Sequence, residues 1–297
     1  MNRLPTAKRV QILNMLCEGS SMRSISRVVD VSINTVTKLL EDAGEFCARF
    51  HYDRVRNVTA KRVQCDEIWS FCYAKQKNVA EAKAAPFDAG NVWTWRAIDP
   101  DSKLILSYMV GDRDAETAAF FIEDLKDRLA NRVQLTTDGN KTYLDAVAAS
   151  FHETGVDYAM LVKLYGEPKQ KSPDRRYSPS EYVGSCKERI TGNPDEAHVS
   201  TSHVERQNLT MRMSMRRFTR LMNAFSKKID NHCYALSIYF VFYNFIRMHK
   251  SLRMSPAMTA GISDRLWAWE EIVGLMEAAE QPKKRGPYKK RNPENSN

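Results

Sequence analysis

The sequence lacks the features that direct a chain into or across a membrane. Its longest apolar run, Tyr234 to Phe245, is about half of the roughly 20 residues that a spanning helix needs. Near the N-terminus, no apolar stretch is followed by a small-residue cleavage site, so we expect no secretory signal. We therefore predict a cytoplasmic protein without a membrane-spanning segment.

Closely spaced cysteine pairs are also missing. The six cysteines are scattered without a CxxC motif, which indicates free thiols in a reducing compartment. Cys186, His198 and His203 could contribute to a zinc site. The absence of a second close cysteine pair disfavours that interpretation.

Positive charge is in excess in a chain of otherwise globular composition. Of the 297 residues, 43% are hydrophobic and 27% are charged, and the formal net charge is +9. This length is sufficient for two domains with a core of normal size. The charge favours a polyanionic partner, with nucleic acid first and an anionic membrane surface second.

Residues 6–42 have the pattern of three short helices. Ser20 and Ser21 can cap the second helix, and Asp30-Val31-Ser32 predicts a tight turn before the third. Two short helices joined by such a turn are typical of a helix-turn-helix, whose second helix enters the major groove of DNA. A generic three-helix cap on the next domain is the alternative. The side chains predicted to face outward on the third helix, suited to base edges and phosphates, are Asn34, Thr35, Thr37 and Lys38.

The middle of the chain alternates strand and helix patterns in the order β-β-β-α-β-α-β. The first strand covers residues 63–73 with Asp66 near its centre, and a later short strand delivers Asp138 to its C-terminal end. This order predicts the α/β (α+β) fold class, with a mixed sheet flanked by helices. The predicted segments are a helix-turn-helix domain over 1–44, a linker over 45–62, a mixed-sheet core over 63–262 with a polar loop or insertion at 164–200, a C-terminal helix over 263–280 and a basic disordered tail over 281–297.

The stretch Val199 to Phe225 contains no Gly or Pro and predicts one long helix, which residues Ser200 to Ser202 can cap. Apolar residues recur at helical spacing on one face. A neighbouring face carries Glu205 in the first turn and then arginines, which indicates a surface for a polyanion. A solvated basic face is the more common alternative. The arginines predicted to hold a DNA backbone are Arg206, Arg212, Arg216, Arg217 and Arg220.

Three acids, Asp66, Asp138 and Glu205, occupy positions from which sheet strands and a packed helix can bring them together. Close carboxylates raise each other's pKa values, and a divalent metal removes that conflict. Each acid also has an ordinary interpretation. Asp138 precedes Gly139 in a common turn signal, and Glu205 is a typical acid of a helix N-terminus. Asp66 could face water from an edge strand, with Glu67 as the inward residue.

Three motifs resemble those of a bacterial insertion-sequence transposase of the DDE type, of the insertion-sequence-one-like family. They read CDEIWSF around Asp66, TDGNKTY around Asp138 and HVERQNLTMRMSMRRF around Glu205. The likeness extends over nearly the whole chain. The resemblance implies a ribonuclease-H-like mixed-sheet core behind a helix-turn-helix head, with these three acids as the metal-binding catalytic triad.

The activity implied by the resemblance is that of a DNA transposase. Such an enzyme binds insertion-sequence ends and catalyses metal-dependent 3′-end cleavage and strand transfer into target DNA. The implied cofactor is Mg²⁺, as two ions, with Mn²⁺ as a substitute. The implied partners are the terminal inverted repeats, target DNA and further copies of the chain, as a homodimer or larger synaptic complex at the bacterial nucleoid. Two alternatives stay open, a catalytically inert helix-turn-helix regulator and a structural or RNA-binding protein.

Overall fold

The computed structural model describes residues 4–166, 182–219 and 223–279. These residues form a six-stranded mixed sheet with helices packed against it, which confirms the predicted mixed α/β class. The predicted basic tail over 281–297 and Arg220 lie outside the described residues. Within the described part of the chain, no helix combines the length and the apolar character required to cross a membrane.

The elements follow the predicted β-β-β-α-β-α-β order through the centre of the chain. The strands are β1 (Arg62–Cys72), β2 (Gly90–Ile98), β3 (Ile105–Gly111), β4 (Gln134–Asp138), β5 (Asp157–Tyr165) and β6 (Tyr182–Thr191). The helices are α1 (Thr6–Cys17), α2 (Met22–Val29), α3 (Ile33–Arg54), α4 (Ala115–Arg128), α5 (Thr142–Ser150), α6 (Ser202–Ser214), α7 (Ile229–Val241), α8 (Pro256–Thr259) and α9 (Trp269–Ala279).

Strand β1 lies inside the sheet, whose order is β3-β2-β1-β4-β5-β6. Strands β1, β2 and β3 form an antiparallel meander, whereas β4 and β5 run parallel to β1. Cys65 pairs with Thr137, so the next residues along the two strands, Asp66 and Asp138, stand side by side. The edge-strand interpretation of Asp66 is therefore wrong, because β1 has a partner on each side.

The predicted serine caps and the tight turn are present in the N-terminal helices. Ser21 and Ser32 accept hydrogen bonds from the backbone N–H groups of Ser24 and Thr35, at the starts of α2 and α3. Asp30 ends α2 in the left-handed region, with φ 53°. Short aspartate side chains tolerate this conformation better than most residues do. The turn between the two helices is therefore set by local sequence.

Helix α3 continues to Arg54, although the sequence indicated a linker over 45–62. Its C-terminal half buries Phe50, whose ring packs edge-on against Phe245 with centroids 5.2 Å apart. His51 is also buried, and its Nε2 lies 3.2 Å from a carbonyl oxygen of β3. These contacts to the sheet and to the C-terminal part of the chain hold the helix together beyond the predicted boundary.

Part of the polar loop predicted over 164–200 is a strand. Strand β5 extends to Tyr165, and β6 pairs antiparallel with it at the edge of the sheet. Residues 167–181 lie outside the described residues. The side chains of β6 are largely exposed along its whole length, so no alternation of apolar and polar residues marks this strand in the sequence.

Helix α6 ends at Ser214, so the helix predicted over 199–225 is wrong in its second half. Met215 is extended, with φ −129° and ψ 109°, and Arg216–Phe218 form a 3-10 turn. Met215 and Phe218 are both buried in the core. Tertiary packing therefore overrides the helical tendency of a segment that has no local stop signal.

The sequence predicts helices over 229–249 and 263–280, and both are shorter in the structure. Helix α7 ends at Val241 and continues as one π-helical turn to Ile246. Helix α9 begins at Trp269, whereas the sequence indicated a helix from residue 263. The Ser263 hydroxyl donates a hydrogen bond to the Arg265 carbonyl at 2.8 Å. Such local side-chain bonds compete with helix formation and explain the late start.

Candidate active site

Adjacent parallel strands bring the carboxylates of Asp66 and Asp138 together. Asp66 lies in the middle of β1, and Asp138 is the last residue of β4. One carboxylate oxygen from each of Asp66, Glu67 and Asp138 lies within 4.8 Å of the others. We call these three residues the acidic group.

Glu67 belongs to this group, although the sequence offered it only as a replacement for Asp66. Its side chain is 1% exposed, and its Oε2 accepts a hydrogen bond from Arg113 Nε at 3.1 Å. Its other oxygen lies 3.4 Å from Asn140 Nδ2. Successive strand residues ordinarily point to opposite faces, so the Asp-Glu doublet by itself does not show that both acids reach one site.

Glu205 is not a member of the acidic group among the described residues. In the first turn of α6 it accepts a hydrogen bond from the Thr201 hydroxyl and forms an ion pair with Lys163 of β5. One turn further along, Asn208 donates a hydrogen bond to Asp66 Oδ2 at 2.7 Å. The fold thus brings the helix that carries Glu205 to the acidic group, while Lys163 holds the carboxylate of Glu205.

Burial raises the pKa values of the three acids. The pKa of Asp66 rises to about 6, chiefly through burial, against the opposing charge of Arg96. The pKa of Asp138 also rises to about 6, first through burial and then through the negative charge of Glu67. Burial likewise raises the pKa of Glu67. Ionisation of the whole group is therefore unfavourable without a counter-charge.

Arg113 supplies part of that counter-charge from the segment between β3 and α4. Its Nη2 lies 3.4 Å from Asp138 Oδ2, while its Nε contacts Glu67. The guanidinium carbon also sits 5.0 Å from the centroid of the Trp93 ring, within the range of a cation–π contact. Arg113 thus contacts both Glu67 and Asp138, and its guanidinium packs against the Trp93 ring.

Two further basic side chains, Arg96 and Lys163, lie near the acidic group. Arg96 stands opposite Asp66 in the β1–β2 register and is fully buried. Its Nε and Nη2 have no hydrogen-bond partner within the described ranges. The positive charge of Lys163 lowers the pKa of Asp138. The site is therefore an acidic group enclosed by basic side chains.

The donor atoms fit a hard divalent cation. Carboxylate oxygens are the ligands that Mg²⁺ and Mn²⁺ prefer, and the acidic group offers three within a small volume. The Asn208 Oδ1 is buried and has no hydrogen-bond partner in the described part of the chain, so it adds a neutral oxygen beside Asp66. Asp66, Glu67 and Asp138 can therefore hold a metal ion.

The predicted DNA contacts of α3 lie at its N-terminal end. Asn34 and Lys38 are exposed, and Lys38 pairs with Asp42 at 3.0 Å. The Thr35 hydroxyl shares a hydrogen bond with Ser32, and the Thr37 hydroxyl donates to a backbone carbonyl of the same helix. Asn34 and Lys38 are thus the members of this set whose side chains extend into solvent.

The predicted arginines do not form one row. Arg206 and Arg212 lie on α6, with Arg206 exposed, whereas Arg216 and Arg217 follow the end of the helix. The Nε of Arg216 donates to the Gly19 carbonyl at 2.9 Å. The Nε of Arg217 donates to a serine hydroxyl at 2.6 Å, and burial lowers its pKa to about 10. Arg217 therefore faces the protein rather than a surface open to DNA.

No model of a known protein family matches the chain, and no curated protein matches it either. Among solved structures, the chain is similar to a Mos1 transposase paired-end complex with the left transposon end, at 15% identity and a TM-score of 0.24 over 53% of this chain and 59% of that one. The matched region thus spans less than two thirds of that transposase.

Two further solved structures show likeness over more of the chain. One is a piggyBac transposase synaptic complex with hairpin DNA, at 9% identity and a TM-score of 0.39, over 94% of this chain and 73% of that one. The other is a pre-cleavage Mos1 transpososome, at 12% identity and a TM-score of 0.29, over 93% and 80%. These TM-scores are too low to establish a common fold, so the function must be inferred from the chain's own residues.

Proposed function

We propose that the protein is a DNA transposase, which cuts the 3′ ends of its element and transfers them to target DNA with the help of divalent metal. The observation that carries this proposal is the meeting of Asp66, Glu67 and Asp138 at adjacent parallel strands, with α6 tied to Asp66 through Asn208. When bound, two divalent cations would neutralise charge on a phosphodiester during in-line attack.

The acidic group would hold the divalent metal. Asp66 and Asp138 are fixed by their strands, and the backbone N–H of Asn140 donates to Asp138 Oδ1 at 3.1 Å. Glu205 completes the set by leaving Lys163 and turning toward the acids from α6. The released Lys163 then lies beside the site as a cation for a DNA phosphate. The sheet carries Asp66 on β1 and Asp138 on β4, and α6 carries Glu205. In this proposal these elements form the ribonuclease-H-like core.

DNA binding is assigned to two surfaces. Helices α2 and α3 act as the helix-turn-helix, with Asn34 and Lys38 in the major groove. Arg206 and Arg212 on α6 hold the backbone near the acids. Joining two element ends to one target requires two active sites, so the working form is a dimer or a larger assembly.

The test is strand cleavage and joining on a labelled element end with Mg²⁺ or Mn²⁺. Variants Asp66→Ala, Asp138→Ala and Glu205→Ala should each lose both reactions by a factor of about a hundred or more while still binding the DNA end. The exposed Glu123→Ala on α4 is the matched control and should cut normally. Full activity in any of the three variants would remove that acid from the assignment.

A specific observation favours one competing function. Glu205 is paired with Lys163 and stands outside the acidic group, which is the arrangement expected of a catalytically inert DNA-binding regulator. That protein would bind the element end with the same helices and show no cleavage in either metal. Specific binding by the wild type without any product would establish the regulator.

A further inference from the structure

A cavity of about 210 Å³ opens at the start of β1, beside the N-terminal end of α6. A water molecule occupies roughly 30 Å³ in the liquid, so the cavity has room for a phosphate group. We call it the Arg62 cavity. The polar side chains that line it are Arg62, Gln64, His198, Ser200, Ser202 and His203.

Hydrogen bonds fix the orientation of the Gln64 side-chain amide in this cavity. Its Oε1 accepts hydrogen bonds from the backbone N–H groups of His203 and Val204, at 2.9 Å and 3.3 Å. Two backbone donors require the oxygen at that position, so the amide NH2 must point the other way. Gln64 is 4% exposed and lines the cavity. The Nε2 donor of Gln64 therefore lies on the cavity side of its amide.

The histidines also present donors. The guanidinium of Arg62 contacts Nδ1 of His198, and Lys103 Nζ lies 3.1 Å from Nδ1 of His203. Arginine and lysine only donate, so both Nδ1 atoms are acceptors and each ring carries its proton on Nε2. Burial, followed by the charges of Lys103 and Arg62, lowers the pKa of His203. Donors thus predominate around the cavity.

One carboxylate competes for the guanidinium. Asp101 forms an ion pair with Arg62, and its side chain is 46% exposed. Asp195 lies further out, 3.8 Å from the Nε2 of His198. Exposed ion pairs of this kind contribute little, so a phosphate can replace Asp101 at small cost. Phosphate oxygens also suit the planar fork of a guanidinium better than one carboxylate oxygen does.

We propose that the Arg62 cavity binds one phosphate of the DNA strand that is cut at the acidic group, an inference that rests on the proposed function. Arg62, Gln64 and Asp66 alternate along β1 and share one face of the sheet. Arg62 lies ~13 Å from Asp66 along the strand. Phosphates of one DNA strand advance ~3.4 Å per nucleotide along the duplex axis and are further apart than that through space, so the bound phosphate lies fewer than about four nucleotides from the cleaved bond.

The test measures duplex DNA affinity of the full-length chain by fluorescence anisotropy at several salt concentrations. Arg62→Gln and Gln64→Glu should weaken binding about tenfold and reduce the magnitude of the salt slope by ~0.9, the value for one phosphate contact. Gln64→Glu keeps the oxygen that caps α6 and adds a negative charge. Asp101→Asn should tighten binding, because it frees Arg62. The matched control is Arg265→Gln, which removes an exposed arginine that is likewise paired with an acid.

The outcomes separate this site from the proposed function. Unchanged affinity and slope in Arg62→Gln, or an equal loss in Arg265→Gln, would overturn the site even if the wild type cleaves DNA. The expected binding changes without cleavage by the wild type would support the site and overturn the transposase. The cavity could instead bind free phosphate, and calorimetry with inorganic phosphate measures that binding directly. Phosphate binding that depends on Arg62, with unaltered DNA affinity, would assign the cavity to a free phosphate and overturn the DNA contact.

Discussion

Asn208 Nδ2 on α6 donates a hydrogen bond to Asp66 Oδ2 on β1 across 2.7 Å. The bond lowers the pKa of Asp66 against the raising effect of burial. It also fixes α6 on the sheet, three residues after Glu205. One side chain thus links the position of the helix to the protonation of a proposed metal ligand.

Replacing Asn208 should change both properties. Asn208→Leu removes the amide, so we expect the pKa of Asp66 to rise above about 6. Loss of a hydrogen bond to a charged group should also lower the free energy of unfolding by about 1.5–3 kcal/mol above that pH. Carboxyl-carbon NMR titration and urea unfolding measure the two effects. The exposed Asn193→Leu is the control. An unshifted titration of Asp66 would show that the bond does not set its pKa.

Asp138 should destabilise the metal-free fold at neutral pH. Its pKa rises from 3.8 to about 6 in the folded protein, so between these pH values the folded chain keeps a proton that the unfolded chain has lost. The free energy of unfolding therefore falls as the pH rises from about 4 to about 6. Asp138→Asn removes this penalty. At pH 7.5 with a chelator, the variant should be more stable than the wild type by up to about 3 kcal/mol, and near pH 4 the two should be equal.

Urea unfolding over this pH range measures the difference. Asp145→Asn, at an exposed position on α5, is the control for the same substitution outside the acidic group. Addition of Mg²⁺ should stabilise the wild type and not Asp138→Asn, because the variant lacks a proposed ligand. A wild type more stable than the variant at pH 7.5 in chelator would contradict the account.

Lys163 should weaken metal binding. It holds Glu205 in an ion pair, and its charge acts on Asp138. Lys163→Gln removes a competing cation and releases Glu205, so we expect Mg²⁺ or Mn²⁺ to bind about threefold to tenfold more tightly, which is roughly 0.7–1.4 kcal/mol. Calorimetry measures the affinity. Lys187→Gln on the exposed strand β6 is the control, and weaker metal binding in Lys163→Gln would reverse the assigned role.

Gly19 should be irreplaceable in the turn between α1 and α2. It has φ +72°, and an added Cβ would meet the Met213 carbonyl oxygen at 3.0 Å. We expect Gly19→Ala to lower the free energy of unfolding by about 1–2 kcal/mol. Gly274→Ala lies within α9 with open space around it, so it should stabilise by about 0.5–1 kcal/mol. Thermal or urea unfolding distinguishes the two, and a neutral Gly19→Ala would show that this turn adapts.

Local chemistry made much of the fold predictable. Ser21 and Ser32 cap their helices because each hydroxyl accepts a hydrogen bond from a free backbone N–H only three residues later in the chain. The strand around Asp66 and the strand end at Asp138 follow from local apolar patterns. Strand β6 was not predictable, because its sequence shows no alternation of apolar and polar residues. The end of α6 at Ser214 was not predictable either, because the helix stops where Met215 becomes buried in the core.

The sequence by itself determined the order of helices and strands, the excess positive charge, and the presence of Asp66 and Asp138 on two strands. Only the tertiary structure decided which side chains meet. Strand pairing placed Asp138 beside Asp66, and Glu67 joins them in the acidic group. Packing of α6 against the sheet pairs Glu205 with Lys163 and hydrogen-bonds Asn208 to Asp66. Contacts between residues far apart in the chain depend on register and packing, and no local pattern encodes them.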